Sequence, residues 1–437
     1  MQELAAADLE RSAIRKAGWR LMPLLLAAYL TAYINRVNMG FAPTMKEDLG
    51  LSATMYGLGA GLFFISYFLA EVPSNLMMEK VGARRWIARI MVSWGLLAMA
   101  MSLITGVKSF MLVRFLLGIA EAGYYPGVLL FLTYWFPGAY RARMMAWFSV
   151  GIPLSLAVTG PVSNLILDNM GGWLGLKDWQ WLFIVEGFPT LILAMVILVH
   201  LPDRPANARW LSDGEKAALQ GKIDAENLHI ENHHTAMGLR KALTDPRTLG
   251  LSFVYFTTLT CSYGVGFFLP QIIKAIGTSN STANYLSSLP FIAGTAAILL
   301  FGELSDKFRS RRKDLLALGV AITAIGLIGA GAVGATFAAI ALIGVAAAGT
   351  YGCRAPFWPL PSMFLTGTAA AAGIALINAI GNLGGFIGPY AVGFAKDATG
   401  TYTAGLYLLG ALAVLGAIVT ILLKTPSDLP DQEPVVK

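Results

Sequence analysis

The segment from Asn75 to Arg85 reads NLMMEKVGARR, and the segment from Gly302 to Arg312 reads GELSDKFRSRR. In both, an acid is followed directly by a lysine, and two basic residues begin four positions after that lysine. An inward loop of a membrane protein collects Lys and Arg in any case, but this tendency does not explain acids at matching positions. A duplicated unit of six helices is the economical explanation, so the sequence predicts two related halves.

The regions on either side of these segments are strongly apolar. Charged residues make up 13% of the chain and hydrophobic residues 56%, whereas about a quarter of the residues in a soluble protein are charged. The apolar residues form continuous blocks of about 20, which is the length of a membrane-spanning helix, without the alternation of a barrel strand. We predict spans at 21–41, 55–78, 85–105, 109–131, 144–167, 179–200, 249–274, 284–304, 314–333, 335–355, 364–390 and 402–423.

These spans predict an all-α integral membrane protein with twelve transmembrane helices in two pseudo-symmetric six-helix bundles. The N-terminal bundle covers 1–200, a polar cytoplasmic linker covers 201–247, and the C-terminal bundle and tail cover 248–437. Most of the 32 Lys and Arg residues then fall in inward loops, as the positive-inside rule expects. We therefore expect a multi-pass protein of the inner (plasma) membrane with both termini cytoplasmic, and the net charge of +7 requires no nucleic-acid partner.

Arg36, Arg114 and Glu121 are charged residues that lie inside otherwise apolar predicted spans. An arginine in a span costs at least ~2.5 kcal/mol, so it usually pairs, faces a watery cavity or binds a ligand. Arg114 and Glu121 are two helical turns apart and share one helix face. The guanidinium of Arg36 offers a planar fork that matches a carboxylate, and Glu121 can carry a proton. The alternative for Glu121 is a static ion pair that holds the fourth span to a neighbour.

The twelve spans, the long central loop and the repeated loop resemble the major facilitator superfamily. Its loop motif is a Gly, three residues, an Asp, a basic residue, one residue, a Gly, one residue and two basic residues. The second copy matches it at Gly302, Asp306, Lys307, Arg311 and Arg312, with Arg309 in place of the later glycine. The first copy matches it at Lys80, Gly82, Arg84 and Arg85, with Asn75 and Glu79 in place of the first Gly and the Asp. The resemblance implies that these loops form a charge network that gates transport.

Within that superfamily, NRVNMGFA (35–42), RFLLGIAEAGYYPG (114–127) and LINAIGNLGGFIGPY (376–390) resemble the anion:cation symporters, above all those for tartrate, phthalate and related carboxylates. The resemblance implies that Arg36 holds the substrate carboxylate and that Glu121 and Arg114 couple transport to protons. It also implies substrate contacts from Tyr33, Tyr67, Trp358, Asn378 and Asn382. For the tyrosines, packing or interfacial anchoring is the alternative, and for the asparagines it is hydrogen bonding between helices.

The sequence departs from the symporter pattern at two places. Many relatives have an Asp immediately before the arginine of the first span, and this chain has Asn35. Because Asn carries no proton, the sequence predicts that Glu121 is the only proton carrier within the membrane. The second departure is Arg354, which either snorkels to lipid headgroups or faces the cavity as a second clamp, so that a dianion would bridge the two halves.

The sequence thus predicts a secondary active transporter that takes up an organic anion with protons by alternating access. The substrate would be a dicarboxylate, an aromatic carboxylate or a sugar acid. We expect a monomer that is not an enzyme, with no cofactor beyond the proton and no metal, because His229, His233 and His234 lie in a polar loop without cysteines. The alternatives are an organic anion exchanger, an exporter of amphipathic acids and, more distantly, a polytopic membrane enzyme.

Overall fold

The computed structural model describes residues 2–232, 243–365 and 367–424, and these residues are almost entirely α-helical. We label the α-helices of this part of the chain in order as α1 Gln2–Val37, α2 Pro43–Asp48, α3 Ala53–Val81, α4 Ala83–Ala100, α5 Val107–Glu121, α6 Tyr124–Trp135, α7 Gly138–Ser149, α8 Gly151–Met170, α9 Asp178–His200, α10 Asp213–Asn232, α11 Pro246–Lys274, α12 Asn280–Leu286, α13 Ser288–Lys307, α14 Arg312–Val333, α15 Phe337–Gly352, α16 Arg354–Phe357, α17 Gly367–Thr399 and α18 Thr403–Leu422.

Twelve helical segments of the described residues are long and apolar enough to cross a membrane, which confirms the predicted fold class. Large apolar side chains such as Leu69, Val199 and Ile421 are exposed on them, as a lipid-facing surface requires. The eleventh span, predicted at 364–390, ends later than predicted, since helix α17 runs from Gly367 to Thr399. Its last turns are held by Asp397, whose carboxylate accepts hydrogen bonds from the backbone N–H groups of Ala53 and Thr54.

The chain divides into two compact units, and the first contains Met1–Gly50 and Leu62–His233. Helix α1 begins well before the predicted first span, and its early part contacts α10 of the central segment. Glu215 on α10 accepts hydrogen bonds from Ser12 Oγ and Lys16 Nζ, each at 2.7 Å. Trp210 adds a stacked contact with Trp135, at 5.5 Å between ring centroids. The described part of the predicted linker up to residue 232 therefore packs as part of the first unit.

The second unit contains Leu51–Gly61 and His234–Lys437, and glycines set its tightest helix contact, between α11 and α17. A Cβ on Gly384 would lie 2.6 Å from the carbonyl oxygen of Phe256, and one on Gly388 would lie 2.3 Å from that of Thr260. Neither distance is compatible with a real side chain, so any larger residue would push the helices apart. The glycine-rich motif at 376–390 therefore permits close approach of two helix backbones.

Candidate functional site

An ion pair between Arg36 and Glu121 lies at the centre of the first unit. Nη2 of Arg36, near the end of α1, donates to Oε1 of Glu121, the last residue of α5. Arg36 is 7% exposed and Glu121 is fully buried. Burying two charges is costly unless they are paired, so each depends on the other for its place in the protein interior. The sequence singled out both residues but did not reveal that they pair with each other.

Aromatic rings surround the guanidinium of Arg36. Its Cζ atom lies 4.7 Å from the ring centroid of Tyr33, 5.0 Å from that of Phe63 and 5.7 Å from that of Tyr67. Rings at this distance attract a cation through their quadrupole, and they restrict the directions in which it can point. The structure therefore brings the predicted residues Tyr33 and Tyr67 to Arg36, together with Phe63, which the sequence analysis did not select.

Arg114 is the second guanidinium of the site. It is 1% exposed, its Cζ atom lies 5.2 Å from the ring centroid of Phe63, and its charge acts on Glu121. Phe63 thus contacts both arginines. Helix α5 is continuous from Val107 to Glu121, so the predicted two-turn separation of Arg114 and Glu121 holds. Arg36, Arg114 and Glu121, which we call the charge cluster, carry two positive charges and one negative charge when ionised.

The helix breaks immediately after Glu121. Ala122 is extended, with ψ 136°, and Gly123 has the left-handed φ of 85° that favours glycine. Ser74 fills this turn, since its Oγ donates to the carbonyl oxygen of Ala122 at 2.7 Å. A Cβ on Gly123 would lie 2.3 Å from that Oγ. Glu121 therefore lies at a junction between two helical segments.

A second buried carboxyl group, which the sequence analysis missed, lies on α9. Glu186 is 5% exposed, and its Oε1 accepts a hydrogen bond of 2.7 Å from Ser163 Oγ. The amide of Asn38 is its other polar neighbour. One turn along α9, Thr190 Oγ1 accepts from Asn35 Nδ2 at 2.9 Å. A single Glu in a strongly apolar span was the available sequence signal.

In the second unit, Arg354 begins the short helix α16. Its Nη2 donates to Ser262 Oγ at 3.4 Å, and its Cζ lies 4.7 Å from the ring centroid of Tyr351. Ser262 and Tyr351 also line a cavity of about 20 Å³, which has room for about one water molecule. That volume is too small for an organic anion.

The other predicted residues of the second unit lie around Tyr255 on α11. Its ring centroid is 5.1 Å from that of Trp358, and a Cβ on Gly381 would lie 2.1 Å from its Cδ1 atom. Asn378 and Asn382 flank Gly381 on α17, and both are half-buried. Trp358 is half-buried as well, and its ring also lies 5.2 Å from that of Phe357, between ring centroids.

The two repeated loops have different partners. In the first, the backbone N–H of Arg84 donates to Asp203 Oδ1 at 2.8 Å, and Gly82, with φ 95°, lies against the same carboxylate. In the second, Arg312 lies 3.8 Å from Asp306 within the loop itself. The sequence analysis missed Asp203, which lies far away in sequence within the motif LPDRP.

No group of three or more His, Cys, Asp or Glu residues that could hold a metal occurs in the described part of the chain. His233 and His234 lie outside the described residues.

Comparison with known proteins gives concordant results. The profile of the Major Facilitator Superfamily matches residues 24–272 and 251–437. A protein of Agrobacterium vitis named "Putative tartrate transporter" is 42% identical over 418 residues, which cover 95% of this chain and 96% of the relative. A "Quinolone resistance transporter" of Acinetobacter baumannii is also 42% identical, over 94% of this chain and 95% of its own length.

Among solved structures, the xylose transporter of E. coli in its inward open conformation superimposes with a TM-score of 0.75. The match covers 92% of this chain and 96% of that chain, at 14% sequence identity. At this identity the likeness concerns the fold alone.

Proposed function

Because the chain belongs to the major facilitator superfamily, we propose that it is a proton-coupled symporter that carries an organic anion across the inner membrane. The members of this family are transporters and not enzymes, so the alternative of a polytopic membrane enzyme is dropped. The relative named for tartrate supports an organic anion as the substrate.

The ion pair between Arg36 and Glu121 carries the proposal. Arg36 offers donors that match a carboxylate, and in the structure the carboxylate that it binds belongs to the protein itself. A proton on Glu121 removes the charge that attracts Arg36. The guanidinium is then available for the carboxylate of a substrate, so protonation and substrate binding share one residue.

The charge of the cluster makes this exchange cooperative. With Glu121 ionised the cluster carries one net positive charge, and with Glu121 protonated it carries two. An anion that binds beside the arginines therefore favours protonation of Glu121, and protonation favours the anion, because coupling between two ligands is reciprocal. A carrier loaded with both ligands and a carrier loaded with neither are the favoured states, which is the requirement for symport.

The aromatic rings around Arg36 bear on the class of substrate that the site would accept. Tyr33 and Tyr67 lie against Arg36, and Tyr29 stacks with Tyr125 at 5.5 Å between centroids. Such rings pack against an aromatic carboxylate and also against the carbon face of a sugar acid. We propose a dicarboxylate, an aromatic carboxylate or a sugar acid as the substrate, with Arg354, Trp358, Asn378 and Asn382 as the anion-binding and polar groups of the second unit.

Transport by purified protein in proteoliposomes tests the proposal. A thermal-shift screen of tartrate, phthalate, hydroxybenzoate and gluconate first selects the probe, because a ligand of the native state raises its stability. With an inward proton gradient, the wild-type protein should accumulate the probe, whereas Glu121→Gln should only exchange it across the membrane. Glu10→Gln is the matched control and should accumulate it normally. Undiminished gradient-driven accumulation by Glu121→Gln would overturn the proton-coupling role.

An exporter of amphipathic acids is the second candidate, because the relative named for quinolone resistance is as similar as the one named for tartrate. Everted membrane vesicles distinguish the two directions. An acid-exporting antiporter would accumulate a carboxylated quinolone in vesicles with an acidic lumen, whereas a symporter would be driven to release its anion from them.

A further inference from the structure

We propose that Glu186, a buried carboxyl group beside Ser163 and Asn38, is a second proton-binding site of this protein. The inference rests on the proposed function only where it gives this proton a role in transport. Protonation of Glu186 itself can be measured without a substrate. It replaces the expectation that Glu121 alone carries a proton within the membrane.

The first observation is the hydrogen bonding of Glu186. Oε1 accepts from Ser163 Oγ, whereas Oε2 has no hydrogen-bond partner. Asn38, which is 1% exposed, is the other polar side chain beside this carboxyl group, and it is neutral. Neutral partners do not compensate the charge of a carboxylate in the protein interior. A proton on Oε2 removes this buried charge.

The second observation is the absence of a cation at Glu186 among the described residues. From α4, the residues against this part of α9 are Gly95 and Met99. Of the three arginines of α4, Arg84 and Arg85 lie in its first turn, within the first repeated loop, and Arg89 stacks over Trp86 at 3.9 Å. From α8 comes Ser163, and the nearby acid Asp168 accepts from Asn164 at 2.7 Å.

The end of α1 and the short turn of helix that follows it contribute amides rather than a charge to this region. Asn35 donates to Thr190 and Asn38 faces Glu186, while Arg36 between them pairs with Glu121. A buried carboxylate without a cation is much less stable than a neutral carboxylic acid, so the surroundings favour the protonated form. Substrate binding can affect this proton, because Arg36, the proposed ligand of the substrate carboxylate, and Asn38 are two residues apart on one segment.

Any movement of this segment that follows the exchange of partners at Arg36 therefore also moves Asn38 relative to the carboxyl group of Glu186. The neighbouring residues Asn35 and Asn38 tie this segment to α9, and Arg36 ties it to α5. Glu186 is thus placed to release its proton when the segment shifts. The protein would then carry two protons in each cycle.

Infrared difference spectroscopy of the purified full-length protein tests this site. At about pH 7 exposed carboxyl groups are ionised, so a wild-type minus Glu186→Gln spectrum should show the carbonyl stretch of a protonated acid. The wild-type minus Glu10→Gln spectrum is the control and should lack this band. Ser163→Ala, which removes the donor to Oε1, should keep the acid band and move it to higher frequency. Raising the pH to about 10 should diminish the acid band of the wild type, because even strongly buried carboxyl groups then ionise.

Loss of only carboxylate bands in Glu186→Gln would show that Glu186 is ionised and would overturn the inference. An acid band that does not change frequency in Ser163→Ala would also contradict it, because the band would then belong to another group. These outcomes are separate from failure of the proposed function. A protein with a protonated Glu186 whose Glu121→Gln variant still accumulates substrate would keep this inference and lose the other.

Discussion

Arg36 and Glu121 bind each other from two helices, α1 and α5, that are far apart in sequence, and both side chains are shielded from solvent. The pair is therefore a contact that must open if Arg36 is to bind a substrate. Its energetics are coupled to protonation, because neutral Glu121 is a weaker partner for a guanidinium than ionised Glu121.

Replacing Arg36 with lysine should weaken substrate binding by at least about tenfold, which corresponds to ~1.4 kcal/mol. Lysine keeps the charge but lacks the planar fork and stacks less well on Tyr33 and Phe63. The ligand-induced thermal shift, titrated with the selected carboxylate, measures this loss. Arg209→Lys is the control, because Arg209 is exposed, and it should bind as the wild type does. Equal affinity in both variants would remove Arg36 from the binding site.

Replacing Gly118 with alanine should destabilise the protein by about 1–3 kcal/mol, the usual cost of overpacking. The added Cβ would lie 2.2 Å from the carbonyl oxygen of Phe63 and 2.1 Å from Ser66 Oγ, so α3 and α5 must separate. The melting temperature should fall, and transport should fall with it because Phe63 contacts both arginines. Gly221→Ala, with no atom near the added Cβ, should not lower the melting temperature. A wild-type melting temperature in Gly118→Ala would contradict the packing described here.

The contact between α10 and α1 should weaken at low pH. Hydrogen bonds from Lys16 and Ser12 to Glu215 lower the pKa of that carboxyl group to about 2, from an ordinary value of 4.5. A lowered pKa in the folded state means that stabilisation is complete above about pH 4.5 and is lost as the pH falls towards about 2. Hydrogen exchange of α10 should accelerate in that range in the wild type, and it should depend less on pH in Glu215→Gln.

The control for that measurement is Asp213→Asn, since the carboxylate of Asp213 is fully exposed. Its hydrogen exchange should follow the wild-type dependence on pH. If Glu215→Gln showed the full wild-type pH dependence, the effect would come from a residue other than Glu215.

Replacing Asp203 with asparagine should lower the rate of transport without changing substrate affinity. Asp203 binds the backbone of Arg84 and contacts Gly82 in the first repeated loop, so we expect its charge to act on the loop and not on the ligand. Initial uptake rates and the thermal-shift titration together separate the two quantities. Asp224→Asn on the exposed part of α10 is the matched control. A changed affinity with an unchanged rate would contradict the gating role.

The sequence was informative about the membrane spans because apolar blocks report burial in lipid directly. It also identified Arg36, Arg114 and Glu121, since a charge within a span is conspicuous. The residues that these charged side chains contact were harder to predict. The pairing of Arg36 with Glu121 depends on how α1 faces α5, and one sequence does not determine the rotation of a helix about its axis.

Asp203 and Glu186 were missed for different reasons. Asp203 lies in a polar segment where an acid is unremarkable, and its role depends on a fold that returns this segment to Gly82 and Arg84. Glu186 does lie in an apolar span, but its significance depends on Ser163 and Asn38, which come from other elements. A site formed by residues from three separate structural elements can be recognised only when the packing of those elements is known.

The break after Glu121 has a mechanical consequence. Helices α5 and α6 are joined by only Ala122 and Gly123, and the second of these has a backbone conformation that glycine adopts without strain. We expect this joint to act as a hinge with Glu121 directly beside it, so that a change of partner at Glu121 alters the angle between α5 and α6.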